Sequence, residues 1–521
     1  MNKKDWADLK FSNNQSFFNA PNWLIHIIVF IAGAVMTLAY APFDYWFIPF
    51  LSLSSLFYFS TKSDSPKQSA KLGFSFGLGW FGFGISWVHV SIADFGGLPL
   101  IASLALMLLL VGYLALYPAL SIFLAKRYQS KLGAIGFVVF WLLSEWLRSW
   151  VFTGFPWLSI GYTQLTSLLN GFGPIIGEIG LQAIVLLLSV SLLYPRKRLA
   201  LISFIFLFNL GWALSFINWT QDNPQSQKEI SISLVQGNIA QSVKWQPDNE
   251  MPTMMKYWQL TEPVWALSDI VIWPEAAIPR LEVMAEDFLM HLNDTANDTN
   301  TSLITGIVDY QPDTELAYNN VIVLGKSSKD AENNPYTYKA ENRYSKHHLL
   351  PIGEFVPFES ILRTLAPIFD LPMSSFSRGD YIQNNLEANG IKITPAICFE
   401  IAFSQQVGDN INQDSDLILT VSNDAWFGNS HGPWQHLQIA QMRALEYAKP
   451  VVRVTNNGVT AIIDHKGNIQ SQLPQNVADV LSETITLNEF STPYKKHGNS
   501  PLIVLIIILN LFILYNKKFN L

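Results

Sequence analysis

One cysteine, Cys398, lies in the run Ile393-Thr394-Pro395-Ala396-Ile397-Cys398-Phe399-Glu400-Ile401. With no second thiol a disulfide within the chain is impossible, so this sulfur is either a packed apolar group or a chemical reagent. A thiol reacts as its thiolate, and apolar surroundings keep it protonated unless a base or a cation comes close. Two upstream segments hold such groups. Val271-Ile272-Trp273-Pro274-Glu275 sets a carboxylate just after an apolar, strand-like run, and Tyr344-Ser345-Lys346 does the same with an amine. If the three strand ends share an edge, the carboxylate can take the thiol proton as general base. The ammonium would then favour the thiolate and any oxyanion formed on a bound carbonyl.

Those side chains need strands to carry them. From residue 229 the chain turns to short β-branched runs, beginning with Ile230 to Val235. Further strands are predicted at Ile270 to Trp273, Ser302 to Val308, Val321 to Leu324, Ile391 to Ile397, Leu417 to Val421 and Val451 to Val454. Leu437, Ala440, Ala444, Leu445 and Ala448 recur at helical spacing, which predicts a helix over Trp434 to Ala448. Alternation of this kind implies a layered α/β domain, and such folds place their ligand crevice at strand ends.

Composition adds a second part. Half of the residues are hydrophobic (50%), only 14% are charged, and mean hydropathy is +0.22. Soluble domains carry about 25% charged residues, so the chain reads as a membrane protein. Net charge −7 and pI near 5.7 offer no basic patch, which excludes nucleic acid as a partner.

Apolar stretches near the ~20 residues needed to cross a bilayer run over about 23–41, 43–59, 72–93, 98–124, 132–152, 172–194, 199–217 and 501–515. The expected layout is a bundle of about seven spans over 1–220, an α/β domain over 229–490, and a closing transmembrane helix and tail over 500–521. Lysines and arginines cluster before the first span (Lys3, Lys4, Lys10) and after each even-numbered one, as at Lys62, Lys126, Arg196 and Lys517. That pattern predicts both termini in the cytoplasm and the α/β domain outside it. Ala39-Tyr40-Ala41 has the small-x-small form of a signal cleavage site, but Pro42 disfavours cleavage and the polar lead is long, so a retained span is expected. Asn293, Asn297 and Asn300 each open an N-x-Ser/Thr triplet, which indicates a surface turn.

Plainer roles stand beside the chemical ones. Free cysteines are usually buried structural residues, a glutamate at a strand end usually caps or is solvated, and Lys346 could be a surface charge. His347 and His348 suggest a metal, yet neighbours on a strand face opposite ways and no third ligand has suitable spacing, so neither metal nor cofactor is expected. Glu354 and Glu400 could be ion-pair partners, and Trp245 and Trp426 ordinary aromatics. Trp426, before Phe427-Gly428-Asn429, could also form a membrane-facing lid. Within the bundle Glu145 and Arg148 are three apart on one helix face and can neutralise each other; alternatively Arg148 holds a lipid phosphate, with Glu178 a second polar contact.

Taken together, the motifs carry a resemblance. Val235-Gln236-Gly237-Asn238 with Trp245, Trp273-Pro274-Glu275, Lys346 through Pro357, Ile397-Cys398-Phe399-Glu400, Ser422-Asn423-Asp424-Ala425-Trp426-Phe427, Thr455-Asn456-Asn457-Gly458 and, in the membrane part, Thr153-Gly154-Phe155-Pro156-Trp157 span nearly the whole chain. In order and register they resemble the bacterial apolipoprotein N-acyltransferase family of the nitrilase superfamily. The resemblance implies about eight transmembrane helices with a nitrilase-like α-β-β-α sandwich outside the cytoplasm, on a bacterial inner membrane. It also implies transfer of an acyl chain from a phospholipid, through a thioester on Cys398, to the N-terminal amine of diacylglyceryl-cysteine in an apolipoprotein, by a monomeric enzyme. Glu275 would be the base, Lys346 the oxyanion stabiliser and Cys398 the nucleophile. Glu354 and Glu400 would support the lysine and thiol, and Trp245 would shape the lipid-facing mouth. Phe399 stands where the family often has tyrosine, so any role of that hydroxyl does not carry over.

The chemistry suits these substrates. A thiol is both a good nucleophile and a good leaving group, and a long-chain donor stays in the bilayer because each buried methylene is worth about 0.8 kcal/mol. Two rival functions remain: a tethered amidase or nitrilase acting on small carbon–nitrogen substrates, for which seven spans are excessive, and a transporter or receptor. Transport usually leaves paired charges along several spans, and these spans hold few.

Overall fold

The structure is a computed structural model. It describes residues 21–95, 99–193, 197–219, 228–328, 335–351, 353–355, 375–487, 489, 491–504, 506–508 and 511. The chain divides into two compact units, one of residues 1–89, 100–218 and 496–521, the other of residues 90–99 and 219–495.

The first unit is helical. Asn22–Val35, Ile48–Lys62, Pro66–Gly84, Leu100–Arg127, Ile135–Arg148, Gly173–Ser191 and Lys197–Leu214 are its main helices. Glycines let helix backbones meet. A Cβ on Gly33 would lie 2.1 Å from the Phe76 carbonyl oxygen, and one on Gly79 equally close to that of Phe30, the small-residue packing that joins helices in lipid. Ile101, Leu108 and Leu109 point outward, 84%, 59% and 71% exposed, an apolar surface that water does not suit and a bilayer does.

The expected eight spans are only partly matched. Among the described residues three helical segments, Asn22–Ala39, Leu100–Arg127 and Leu168–Ser191, are long and apolar enough to cross a membrane, or four if Pro66–Gly84 and Val88–Asp94, bent by 61°, count as one. Hydropathy sums composition and is blind to breaks in the backbone. The stretches predicted at 43–59 and 132–152 fold as helices of 15 and 14 residues, short of the ~20 needed. The predicted eighth span falls partly on residues outside the described set.

The second unit carries two sheets. In chain order the strands are β1 Lys228–Gln236, β2 Ile270–Ile272, β3 Ile278–Leu281, β4 Ser302–Gln311, β5 Leu316–Gly325, β6 Arg343–Ser345, β7 Leu386–Ala388, β8 Ile391–Ile397, β9 Leu417–Ser422, β10 Val451–Thr455, β11 Ala461–Ile463, β12 Ile469–Gln472 and β13 Asp479–Leu487. One sheet runs β13-β1-β2-β4-β5-β6 with β3 beside β4; the other runs β12-β11-β10-β9-β8-β7. Ile232, Leu234, Ile272 and Ile304 of the first meet Ile393, Ile397, Leu419, Val421 and Val454 of the second in one dry core. Strands buried on both faces read as unbroken apolar runs, which is why β8 to β10 were legible. The far face of the first sheet is covered by the helices Pro247–Thr261 and Glu286–Asp298 through Met254, Tyr257, Leu289 and Leu292. The helix Gly432–Tyr447 lies against β10. The predicted helix at 434–448 thus exists, and it stops where Ala448 turns left-handed, φ 48°.

Candidate active site

Strand direction decides what meets at the edge. The pairs β1–β2, β2–β4, β8–β9 and β9–β10 are parallel, while β5 is antiparallel to both β4 and β6. Two reversals give β6 the sense of β2. Glu275 after β2 and Lys346 after β6 therefore leave the first sheet at one end. On the other sheet Cys398 follows β8, Asp424 follows β9 and Asn456 follows β10. Parallel strands present their carboxyl ends together, and there the crevice forms.

The predicted carboxylate and amine meet. Lys346 Nζ lies 3.3 Å from Glu275 Oε1 and 2.7 Å from Glu354 Oε1. Both Glu275 (7% exposed) and Lys346 (2%) are buried. Burial alone would raise the Glu275 carboxyl, but Lys346, the Asn319 amide and Lys244 outweigh it and hold the group below the ordinary carboxylate range. Burial opposes the Lys346 charge; Glu275 and Glu354 overcome that and hold its pKa well above the usual lysine value. The ammonium and its carboxylate are therefore the resting pair.

Cys398 is partly buried. Burial and the Glu275 charge push its thiol far up, against the pull of Lys346. At neutral pH the sulfur keeps its proton, so it needs a base acting in step with attack. Glu275 and Lys346 are the charged groups that act most strongly on it. Cys398 also adopts φ 54°, a left-handed conformation that costs a residue with a side chain roughly 1–2 kcal/mol. Such strain persists only where neighbours over-determine it, and it clusters at functional sites.

The supporting carboxylates have definite partners. Glu354 Oε2 accepts the Leu350 N–H at 2.9 Å while its other oxygen takes Lys346. Fully buried Glu400 accepts from Tyr344 Oη and from the backbone N–H groups of His347, His348 and Ile397, so it joins the segment after β6 to the residue before the thiol. Phe399, 5% exposed, packs edge-on to Phe403 at 5.1 Å, and His348 stacks on Phe403 at 3.5 Å.

Trp245 and Trp426 are 37% and 40% exposed. The turn Asp424–Phe427 that bears Trp426 is tethered: Ser91 Oγ donates to the Trp426 carbonyl at 2.6 Å. Arg148 belongs to the other unit and displays pairing, the plainer of its two readings. It is 2% exposed, bonded to both oxygens of Glu145 and to the carbonyls of Phe155 and Trp157. A guanidinium so enclosed is spent on cross-linking its own helix end to the following loop, which leaves the lipid phosphate reading without support. Glu178 is likewise buried in that unit.

Several residues had no individual mark in the sequence. Asn319, inside β5, donates to Glu275 Oε1 at 2.8 Å and to Glu354 Oε1 at 3.3 Å. Two adjacent asparagines within an apolar strand, Asn319-Asn320, were the available signal. The Asn423 N–H donates to Glu275 Oε2 at 3.0 Å, and Asn456 links Asn423 to the Ile239 backbone. Lys244 Nζ, buried beside them, donates to the Glu275 carbonyl at 3.2 Å, and burial pulls its pKa down to about 8. Gly306 in β4 leaves room for the Glu275 turn, since a Cβ there would lie 2.4 Å from the Ala276 nitrogen.

Two face-to-face sheets here carry a carboxylate, an amine and a thiol just past the ends of their strands, and residues 231–492, which include all three, match the family model described as Carbon-nitrogen hydrolase. Residues 32–191 match a second, Apolipoprotein N-acyltransferase N-terminal domain. The apolipoprotein N-acyltransferase of Photobacterium profundum is 47% identical over 94% of this chain and 93% of its own length, and that of Shewanella oneidensis 47% identical over 92% and 93%. The chain belongs to the apolipoprotein N-acyltransferase family. Among solved structures, a CN-hydrolase superfamily protein of Xanthomonas campestris is similar at TM-score 0.36 and 20% identity, over 50% of this chain and 91% of that one.

Proposed function

We propose that this enzyme N-acylates apolipoproteins in two steps through a thioester on Cys398, with Glu275 as base and Lys346 as oxyanion stabiliser. The observation that carries the chemistry is the placement of Lys346 Nζ between the Glu275 and Glu354 carboxylates, with both Glu275 and Lys346 acting on a protonated thiol. In the first step Glu275 takes the thiol proton as sulfur attacks the phospholipid ester carbonyl. A C–S bond forms and the oxyanion sits against the Lys346 ammonium. Collapse breaks the ester C–O bond, and the leaving alcohol receives the proton from Glu275. In the second step the amine of diacylglyceryl-cysteine attacks the thioester, its proton passes to Glu275, the C–S bond breaks, and the proton returns to sulfur.

Glu354 and Glu400 hold the lysine and the strained thiol in place. Trp245 and Trp426, half exposed, line the approach for the acyl donor, and Phe399, next to the thiol in the chain, packs against Phe403 and His348. The rival readings lose ground because relatives matched over both halves carry the acyltransferase name. The distribution of basic residues supports cytoplasmic termini with the catalytic unit outside the cytoplasm, and membership of the family implies a multi-pass monomer in a bacterial inner membrane, with that unit periplasmic. Incubation of the full chain with phospholipid in detergent, followed by intact mass measurement and peptide mapping, tests the reading. An acyl-sized gain at Cys398, absent in Cys398→Ser and discharged by a diacylglyceryl peptide, is expected. No adduct, or one elsewhere, overturns it.

A further inference from the structure

Against the thiol lies a second polar group that the two-step scheme leaves unused. Ser422, the last residue of β9, is fully buried, and its Oγ lies 3.6 Å from Cys398 Sγ and 2.5 Å from Asp424 Oδ1. Asp424 is a hub. Its Oδ2 accepts from Arg453 at 2.5 Å, its Oδ1 also faces His436 Nδ1 at 3.1 Å, and Arg453 and His436 are both fully buried. The other ring nitrogen of His436, Nε2, lies 3.1 Å from the carbonyl oxygen of Cys398 itself. One network therefore touches the cysteine twice, at its sulfur and at its backbone.

We propose that the Ser422 hydroxyl is a further catalytic residue, a donor that switches between Asp424 and the Cys398 sulfur, with Asp424 and His436 positioning it and the cysteine backbone. This rests on Cys398 being the nucleophile. A hydroxyl has one proton and two lone pairs. At rest the proton belongs to the closer, anionic acceptor, Asp424 Oδ1, and a lone pair of Oγ faces the thiol S–H. When Glu275 removes the thiol proton, sulfur becomes the stronger competitor, and rotation about the Cβ–Oγ bond turns the hydroxyl proton onto it. No covalent bond breaks beyond the S–H bond already broken, and Asp424 keeps Arg453. Once the thioester forms the sulfur is neutral and accepts poorly, so the hydroxyl returns to Asp424. Sulfur is anionic twice in the cycle, as nucleophile and again as leaving group, so one hydroxyl serves both halves.

The test uses the full chain in phospholipid–detergent micelles. Ser422→Ala removes one oxygen and should slow both thioester formation and its discharge by about three- to tenfold, the worth of one weak hydrogen bond to an ion. Phospholipid KM should not change. The pH profile of Cys398 alkylation by iodoacetamide should move to higher pH, because the thiolate has lost a donor while the other groups acting on it, Glu275, Lys346, Asp424 and Glu354, stay in place. A merely structural serine would not move that profile. Ser422→Thr, which keeps the hydroxyl on a strand, should restore both rates. If Ser422→Ala does not fold, Thr and Val at 422 have the same shape, and a slower, shifted Val variant beside a normal Thr variant supports the switch. Wild-type rates and profile in Ser422→Ala, or equal behaviour of Thr and Val, overturn it. Those results would leave the nucleophile itself intact, since only loss of the adduct in Cys398→Ser bears on that.

Discussion

Glu400→Gln is the most informative single change, because one side chain joins the lysine segment to the nucleophile. Oε1 accepts from Tyr344 Oη (3.1 Å), the His347 N–H (2.8 Å), the His348 N–H (2.9 Å) and Gln406 Nε2 (2.8 Å), while Oε2 accepts the Ile397 N–H at 2.8 Å. Glutamine has the same shape but one acceptor. Its oxygen will take the crowded side and keep four donors. Its NH2 then meets the Ile397 N–H, donor against donor, in a fully buried site. An orphaned buried donor costs about 1–3 kcal/mol. Part is returned, because burial raises the Glu400 carboxyl above its ordinary value and glutamine buries no charge. The balance is about 1 kcal/mol, which for a unit of this size lowers Tm by about 2–4 °C. Ile397 precedes the strained Cys398, so kcat should fall more than phospholipid KM rises. Thermal unfolding of the full chain in detergent, with thioester formation followed by mass, checks both. A Tm drop below about 1 °C with unchanged kcat would refute the claim that Glu400 pins the strained backbone at Cys398. Glu400→Ala, which strands all five donors, must be worse than glutamine.

Glu275→Gln should separate reactivity from turnover: without the neighbouring anion that raises the thiol, iodoacetamide alkylation moves to lower pH, while thioester formation falls by about 10²–10⁴ for want of a base. A shift of the profile to higher pH would contradict the electrostatics. Gly306→Ala drives a Cβ to 2.4, 2.7 and 2.8 Å from the Ala276 nitrogen, the Pro274 oxygen and the Glu275 Cα; since backbone cannot yield as a flexible side chain does, turnover should drop at least about tenfold with the circular dichroism retained, and wild-type turnover would show the turn to be slack. The folded state should also weaken in acid. Glu275 and Asp424 sit below their ordinary pKa because Lys346 and Arg453 outweigh burial, so their stabilisation is complete above about pH 4.5 and is lost as pH falls toward their folded values. A Tm that stays flat from pH 7 to 3, or one as steep in Glu275→Gln as in the parent chain, would show that these pairs do not set the acid limit.

Much of this was legible without coordinates. β8, β9 and β10 are buried on both faces and so appear as continuous apolar runs, and the residues that end or follow them mark the site. The strands β7, β11, β12 and β13 are short or half exposed, with polar side chains such as Gln470, Gln472 and Glu483, and they carry no comparable pattern. In the bundle, fewer helices among the described residues are long enough to cross a membrane than there are apolar stretches, because breaks such as the 61° bend between Pro66–Gly84 and Val88–Asp94 interrupt helices without lowering hydropathy.

Residue chemistry by itself determined which groups can react here: one thiol and one carboxylate, each set just after an apolar run, and an amine after the short segment Arg343-Tyr344-Ser345, placed by local preferences that act over a few residues. Tertiary structure decided that β6 points the same way as β2, that Glu275 and Glu354 share the lysine with Asn319 donating to both, and that Ser422, Asp424 and His436 form one network touching Cys398. Those contacts join residues far apart in the chain, and strand sense and sheet-on-sheet packing, which no local pattern encodes, bring them together.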